Sequence, residues 1–245
     1  MAGQVRLAGQ VALKPSTMVE PDAPLQVDLG PRFVSRGGEK LDAALAAFGL
    51  DVAGLVCADL GASTGGFTDC LLQRGAARVY AIDVGKGLLD WNLRTDERVV
   101  VMEETNARFL ESLPEPVDLV TIDASFISLR VLLPVAKRWL RPDAPRVTAS
   151  IVALIKPQFE AGRREVARGS GVIRDPAIHR RVLNELLAFA ESEGLPARGL
   201  IRSPLLGPKG NTEFLAWLVP ESPAGMDAYR LIESALSAGA SVVGE

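Results

Sequence analysis

The chain has 245 residues, 48% hydrophobic and 23% charged, with a formal net charge of −3; this suffices for one large α/β domain with a small appendage and gives no global attraction to a polyanion or an anionic membrane. Two cysteines, Cys57 and Cys70, and one histidine, His179, exclude a disulfide framework and a Cys/His metal site. With no leader pattern at the start and no uncharged apolar run of about 18 residues, the chain is expected to be cytoplasmic.

Residues 1–30 differ from the rest. Short alternating runs at Val5 to Leu7, Val11 to Leu13 and Leu25 to Val27, broken by Gly, Pro and Asp, predict a small β-rich module. From Phe33 onward strands alternate with helices, the sign of a mainly parallel sheet covered on both faces. A helix is expected from Lys40 to Phe48, then a strand from Val56 to Leu60, a glycine loop and a helix from Phe67 to Arg74. Strands follow at Val79 to Asp83, Val99 to Met102 and Val117 to Ile122, then a helix from Leu129 to Leu140 and a strand from Ile151 to Lys156. The polar stretch "EAGRREVARGSG" precedes a long helix from Pro176 to Glu193. "RGLIRSPLLG" and "NTEFLAWLV", joined by "PKG", should pair as an antiparallel hairpin, and a last helix covers Ala224 to Ala238.

The loop "DLGASTGGF", residues 59–67, follows a strand and opens a helix, which places backbone N–H groups and a positive helix end beside a polar ligand. Phe67 stands where a P-loop needs a Lys-Ser/Thr pair, and Gly61, Gly65 and Gly66 do not have the dinucleotide spacing. Nucleoside triphosphates and pyrophosphate are therefore disfavoured. Asp83, at the end of the next strand, stands where an acidic side chain accepts ribose hydroxyls, and Asp59 could face a ligand ammonium. Together these suit S-adenosylmethionine better than NAD. The competing interpretation has Asp83 capping a turn and the glycines permitting tight helix–strand packing.

Four ionisable residues stand at element ends, where an open α/β sheet binds its ligands. Lys40 lies in "SRGGEKL", Asp123 ends its strand in "DASFISL", Lys156 ends another in "IKPQFE", and Glu213 begins the last strand in "GNTEFLAWL". Ala153, Leu154 and Ile155 should be buried and leave the Lys156 ammonium partly desolvated. An ion-pair cluster without catalytic use is the alternative.

These motifs, in this order and spacing from about Val34 to Val219, resemble the TlyA family of ribosomal RNA 2′-O-methyltransferases and haemolysin-like proteins, which carry an FtsJ-like catalytic domain. The resemblance implies a Rossmann-like methyltransferase fold, with a mostly parallel seven-stranded sheet, a C-terminal antiparallel hairpin and helices on both faces. It implies a tetrad of Lys40, Asp123, Lys156 and Glu213. It also implies S-adenosylmethionine bound at Gly61, Ala62, Ser63, Thr64, Gly65, Gly66, Phe67, Asp83 and the region of Asn106; Asp59 and Asp123, at strand ends, are further cofactor-binding candidates, and no metal is expected. Residues 1–30 resemble the β-rich half of an S4-like RNA-binding module with its linker, and residues 31–245 the FtsJ-like domain.

Ribose methylation suits these residue types, because a hydroxyl is a poor nucleophile and needs a base and close alignment. Lys156 is the candidate base; a lysine that only positions the hydroxyl while water takes the proton is the alternative. Arg32, Arg36, Arg163, Arg164 and Arg168 are candidates for phosphate contacts, and ribosomal RNA or ribosomal subunits are the expected partners. A small-molecule methyltransferase, a haemolysin and a non-catalytic RNA- or ribosome-binding protein are the competing functions. No strongly amphipathic cationic helix supports the haemolysin.

Overall fold

A computed structural model describes residues 5–7, 10–12, 14, 18–20, 22–27, 30–142, 149–162, 165, 169–220 and 226–238. Arg163, Arg164 and Arg168 lie outside the described residues, as does the expected start of the last helix at Ala224. The N-terminal segment forms an antiparallel three-stranded sheet in which β1 (Val5–Leu7) lies between β2 (Gln10–Val11) and β3 (Leu25–Val27).

The remaining strands are β4 (Val56–Leu60), β5 (Arg78–Ile82), β6 (Val99–Met102), β7 (Leu119–Ile122), β8 (Ser150–Ile155), β9 (Ala197–Arg202) and β10 (Phe214–Leu218). They form one seven-stranded sheet in the order β6-β5-β4-β7-β8-β10-β9. Strands β4 to β8 are parallel, and β10 runs antiparallel between β8 and β9. The helices are α1 (Gly37–Phe48), α2 (Gly66–Gln73), α3 (Trp91–Arg94), α4 (Leu129–Trp139), α5 (Pro157–Glu160), α6 (Pro176–Ser192) and α7 (Ala228–Ser237), with a 3-10 turn at Ala107–Phe109.

The central strands are apolar on both faces because both are covered. Ile151, Ala153 and Ile155 of β8 pack into the core with α4, α6 and α7, whereas Val152 and Leu154 pack with α1 and α2. The same alternation divides β10 between Phe214, Ala216 and Leu218 on one side and Leu215 on the other. Since side chains alternate along a strand, Asp123, Lys156 and Glu213 fall in step with Leu119, Leu154 and Leu215, on the α1 face. Sequence parity therefore selects the side of the sheet on which the four ionisable residues meet.

Helix α1 begins three residues before the expected Lys40. Gly37 and Gly38 are poor helix formers, but packing decides here. A Cβ at Gly38 would collide with the Phe33 ring, and one at Gly66 would collide with Ser35. The two glycine pairs let the starts of α1 and α2 approach one another.

Candidate active site

The glycine loop turns from β4 into α2 with left-handed backbone at Gly61, Ser63 and Gly65, whose φ angles are 87°, 50° and 97°. A Cβ at Gly61 would stand 2.7 Å from the carbonyl oxygen of Asp123, and one at Gly65 would run into the side chains of Leu93 and Leu89. Much of the demand for small residues is thus made by the protein itself. The loop also walls a cavity of about 520 Å³ with Gly61, Ala62, Ser63, Thr64, Gly66 and Phe67, a volume in the range of ligand sites. It lies where β4 and β7 meet, the point at which the strand order reverses and open α/β sheets bind their ligands.

Asp83 immediately follows β5 and ties the neighbouring loops together. Its Oδ2 accepts from the Ser63 N–H at 2.9 Å and its Oδ1 from the Gly85 N–H at 2.7 Å. The Thr105 N–H donates to its carbonyl oxygen at 2.9 Å. That bond brings Asn106 near, and Asn106 Oδ1 caps the 3-10 turn by accepting from the Arg108 N–H. Glu103, which sequence reasoning missed, anchors the loop after Asp83: its carboxylate accepts from the Gly87 and Leu88 N–H groups and from Arg94. The Gly87 N–H and the Arg94 guanidinium hold its carboxyl down at about 2. No residue pattern marks such a role, because it depends on a loop folding back onto a strand end.

Asp59 differs from expectation. Instead of facing a ligand ammonium it is fully enclosed on the α2 side of β4. Its Oδ2 accepts from the Thr68 N–H at 2.9 Å and the Thr68 hydroxyl at 2.7 Å, and its Oδ1 from the Thr121 hydroxyl at 3.2 Å. Burial raises its carboxyl to about 7, partly opposed by Thr68, with the Asp123 charge adding to the rise. It fixes α2 beneath the loop and does not reach the cavity.

The other four residues converge in two ion pairs. Lys40 Nζ donates to Glu213 Oε2 at 2.6 Å, with the two side chains 9% and 0% exposed. Lys156 Nζ lies 2.6 Å from Asp123 Oδ1 and 3.0 Å from Ser125 Oγ, with Lys156 11% exposed and Asp123 25%. Glu213 Oε1 is buried without a hydrogen-bond partner among the described residues. Lys156 stands at the N-cap of the short α5, one residue beyond β8, so its stem leaves the sheet edge while its ammonium stays beside Asp123.

A second cavity, about 960 Å³, adjoins the first and shares Lys40, Asp123, Ser125, Lys156 and Pro208 with it. Lys40, Asp123 and Lys156 therefore stand between the cavity at the glycine loop and a larger one walled by Phe126, Phe159 and the turns around Gly171 and Lys209, and Glu213 lines the larger cavity behind Lys40. Phe126 is 90% exposed, has a φ of 64°, and lies 5.0 Å from the Phe159 ring between centroids. A bulky residue in left-handed backbone is rare. Arg36, at the N-cap of α1, donates to the Leu206 carbonyl at 2.9 Å and Arg32 pairs with Asp42; in this arrangement both are engaged by the protein.

A glycine loop after the first parallel strand, an acidic residue at the end of the second, and an antiparallel strand inserted before the sheet edge together define a Rossmann-like methyltransferase. Comparison with known proteins agrees: the pattern of the FtsJ-like methyltransferases matches residues 33–219. The 16S/23S rRNA (cytidine-2′-O)-methyltransferase TlyA of Mycobacterium tuberculosis is 46% identical, over 97% of this chain and 89% of that protein. Hemolysin A of Brachyspira hyodysenteriae is 38% identical, over 89% of this chain and 90% of that protein. A solved structure from Lactococcus lactis, provisionally called a hemolysin, superposes with a TM-score of 0.79 at 44% identity, covering 86% of this chain and all of that one (100%). The chain belongs to the FtsJ-like methyltransferases, in the group that holds TlyA and its hemolysin-like relatives.

The residues present fit S-adenosylmethionine. Small loop residues wall the first cavity, and Asp83 stands between the two loops that border the β4 and β5 ends. Among the described residues no helix is long and apolar enough to cross a membrane.

Proposed function

We propose that this protein transfers a methyl group from S-adenosylmethionine to a ribose 2′-oxygen of ribosomal RNA, in the cytoplasm where ribosomal subunits are found. The observation that carries this reading is the position of the Lys156–Asp123 pair and of Lys40, itself paired with Glu213, on the partition between two adjoining cavities. One cavity suits the cofactor, whose sulfonium supplies an electrophilic methyl group. The other is large enough for a nucleoside. Gly61 to Phe67 and Asp83 hold the cofactor, with the Asn106 turn beside them.

Within this reading Lys156 meets the hydroxyl: its ammonium first releases one proton to water, and the neutral Nζ then accepts the hydroxyl proton, while Asp123 and Ser125 fix the position of that nitrogen. Lys40 and Glu213 form the adjacent wall. Their pairing keeps a buried carboxylate compensated, so the wall stays rigid while the hydroxyl is aligned. The exposed Phe126 ring offers a face to a base on the larger cavity, as single-stranded RNA readers do. The three-stranded N-terminal sheet supplies RNA contacts outside the cavity, and Arg163, Arg164 and Arg168 are candidates for phosphate contacts by residue type. The TlyA relative acts on cytidine by its name, which makes cytidine the first nucleotide to test.

The test uses radiolabelled S-adenosylmethionine with separated ribosomal subunits from a host lacking the enzyme. Methylated nucleotides should resist alkaline cleavage of the adjacent phosphodiester, because a blocked 2′-oxygen cannot attack it. A methyl group found on a base, or no transfer to either subunit, would overturn the reading.

A further inference from the structure

The segments that carry Asp123 and Lys156 are joined a second time, by a carboxylate outside the reacting group. Glu160, the last residue of α5, reaches the start of α4. Its Oε1 accepts from the Leu129 N–H at 2.7 Å and its Oε2 from the Ser128 hydroxyl at 2.6 Å. Ser128 is itself the N-cap of α4, its Oγ accepting from the Arg130 N–H at 3.2 Å. The single hydroxyl proton of Ser128 goes to Glu160 while its lone pairs serve the helix, so both capacities of the residue are used. A carboxylate beside a helix N-terminus is favoured by the helix dipole as well.

The two segments thus close into a ring. The Asp123–Lys156 pair stands at one end, the Glu160 bonds to Ser128 and Leu129 at the other, and the Phe126–Phe159 contact between them. Phe126, Ser128 and Phe159 line the larger cavity, whereas Glu160 lines neither cavity. The left-handed backbone of Phe126 needs surroundings that over-determine it, and a loop tied at both ends provides them. Without Glu160 the segments would keep the Lys156 contacts to Asp123 and Ser125 and the Phe126–Phe159 rings, but the end of the loop next to α4 would lose its two bonds.

We propose that Glu160 is a positioning residue for methyl transfer: by clasping Ser128 and Leu129 it holds the Asp123–Phe126 loop in register with Lys156. The kinetic part rests on the RNA-methylation reading above. Were Glu160 only a helix cap, its loss would lower stability without a selective effect on turnover, and α4 would keep its own cap in Ser128.

Glu160→Gln and Glu160→Ala separate these roles. The amide of Gln keeps both bonds, its oxygen accepting from Leu129 and its NH₂ donating to Ser128 Oγ; Ala keeps neither. Glu160→Ala should lower kcat by about 10-fold to 100-fold, the scale of a small misplacement of reacting groups. The KM for RNA and the Kd for S-adenosylmethionine should stay within about twofold. Glu160→Gln should behave as the wild type, and Ser128→Ala, which removes one of the two bonds, should fall between. Hydrogen exchange should quicken in residues 123–131 and 156–160 together in Glu160→Ala, and in neither in Glu160→Gln. Wild-type kcat in Glu160→Ala, a Glu160→Gln variant as slow as Glu160→Ala, or faster exchange in only one segment would each overturn the clasp. Should Glu160→Ala fail to fold, Glu160→Gln and Ser128→Ala decide by the same criteria. If the wild type transfers no methyl group to RNA, the functional reading falls and the exchange data alone decide on the clasp.

Discussion

Gly66 at the start of α2 lies against Gly38 of α1: a Cβ on Gly66 would stand 2.9 Å from the Gly38 amide nitrogen and 3.2 Å from Gly37 Cα. Two residues beyond Gly38 is Lys40, so this backbone contact sets the distance from the glycine loop to the first lysine. Intrinsic propensity favours Gly66→Ala by about 1 kcal/mol in a helix, whereas overpacking opposes it by ~1–3 kcal/mol. The clash should win. Gly66→Ala is expected to be less stable in denaturant titration and slower in methyl transfer. A variant more stable than the wild type would show that α1 shifts freely.

Lys156→Ala should abolish methyl transfer and leave the cofactor Kd nearly unchanged, because Nζ pairs with Asp123 and Ser125 on the partition between the cavities. Lys156→Arg should be almost as damaging: guanidinium does not give up its proton near neutrality, and its planar fork does not match a site built for a point charge. Calorimetry with the demethylated cofactor and single-turnover assays check both halves. Wild-type turnover in Lys156→Ala would remove this lysine from the reaction.

The Lys40–Glu213 pair is nearly sealed from solvent. Lys40→Met should cost ~3–5 kcal/mol of stability, since it leaves a buried carboxylate uncompensated. The double variant Lys40→Met/Glu213→Leu should regain most of that loss while remaining inactive. Denaturant midpoints measure the first effect and methyl transfer the second. A double variant as unstable as the single one would assign the loss to packing.

Asp59 gives the fold a pH dependence. Its carboxyl, raised by burial to about 7 in the folded chain, lies near 3.9 when unfolded. Between those values the folded state binds the extra proton. Stability from this group is therefore complete below about pH 4 and is lost as pH rises through about 7. His179 acts in the opposite sense, because burial holds its pKa below the usual value; its contribution is lost as pH falls below about 6.5. Asp59→Asn cannot ionise and leaves His179 untouched. Relative to the wild type, its stability should improve on going from pH 5 to pH 8 by on the order of 2–4 kcal/mol. Parallel stability curves for the two proteins would place the proton elsewhere.

The apolar strands were legible because burial on both faces leaves long runs of Val, Ile, Leu and Ala, and charges at their ends point to the ligand edge. That is how Asp123, Lys156 and Glu213 stand out in the sequence. Asp59 was misjudged because a strand covered on both sides has no polar face to reveal which way a residue points; its partners Thr68 and Thr121 come from two other elements. The start of α1 was hidden by Gly37 and Gly38, whose weak helix preference is overridden by contact with Phe33 and α2. Glu103 and Glu160 were missed for another reason: each receives backbone N–H groups from a segment distant in sequence, an arrangement that leaves no periodic trace.

The antiparallel β10 lies between β8 and β9, although β9 precedes it in the chain. In a chain made from its N-terminus, β4 to β8 can assemble while β9 still lacks its neighbour β10, and β9 must wait until Leu218 has been synthesised. Glu213 enters with β10. A nascent protein therefore acquires its glycine loop early and its fourth ionisable residue late, when β10 adds to the free edge of β8 and β9 then closes onto β10.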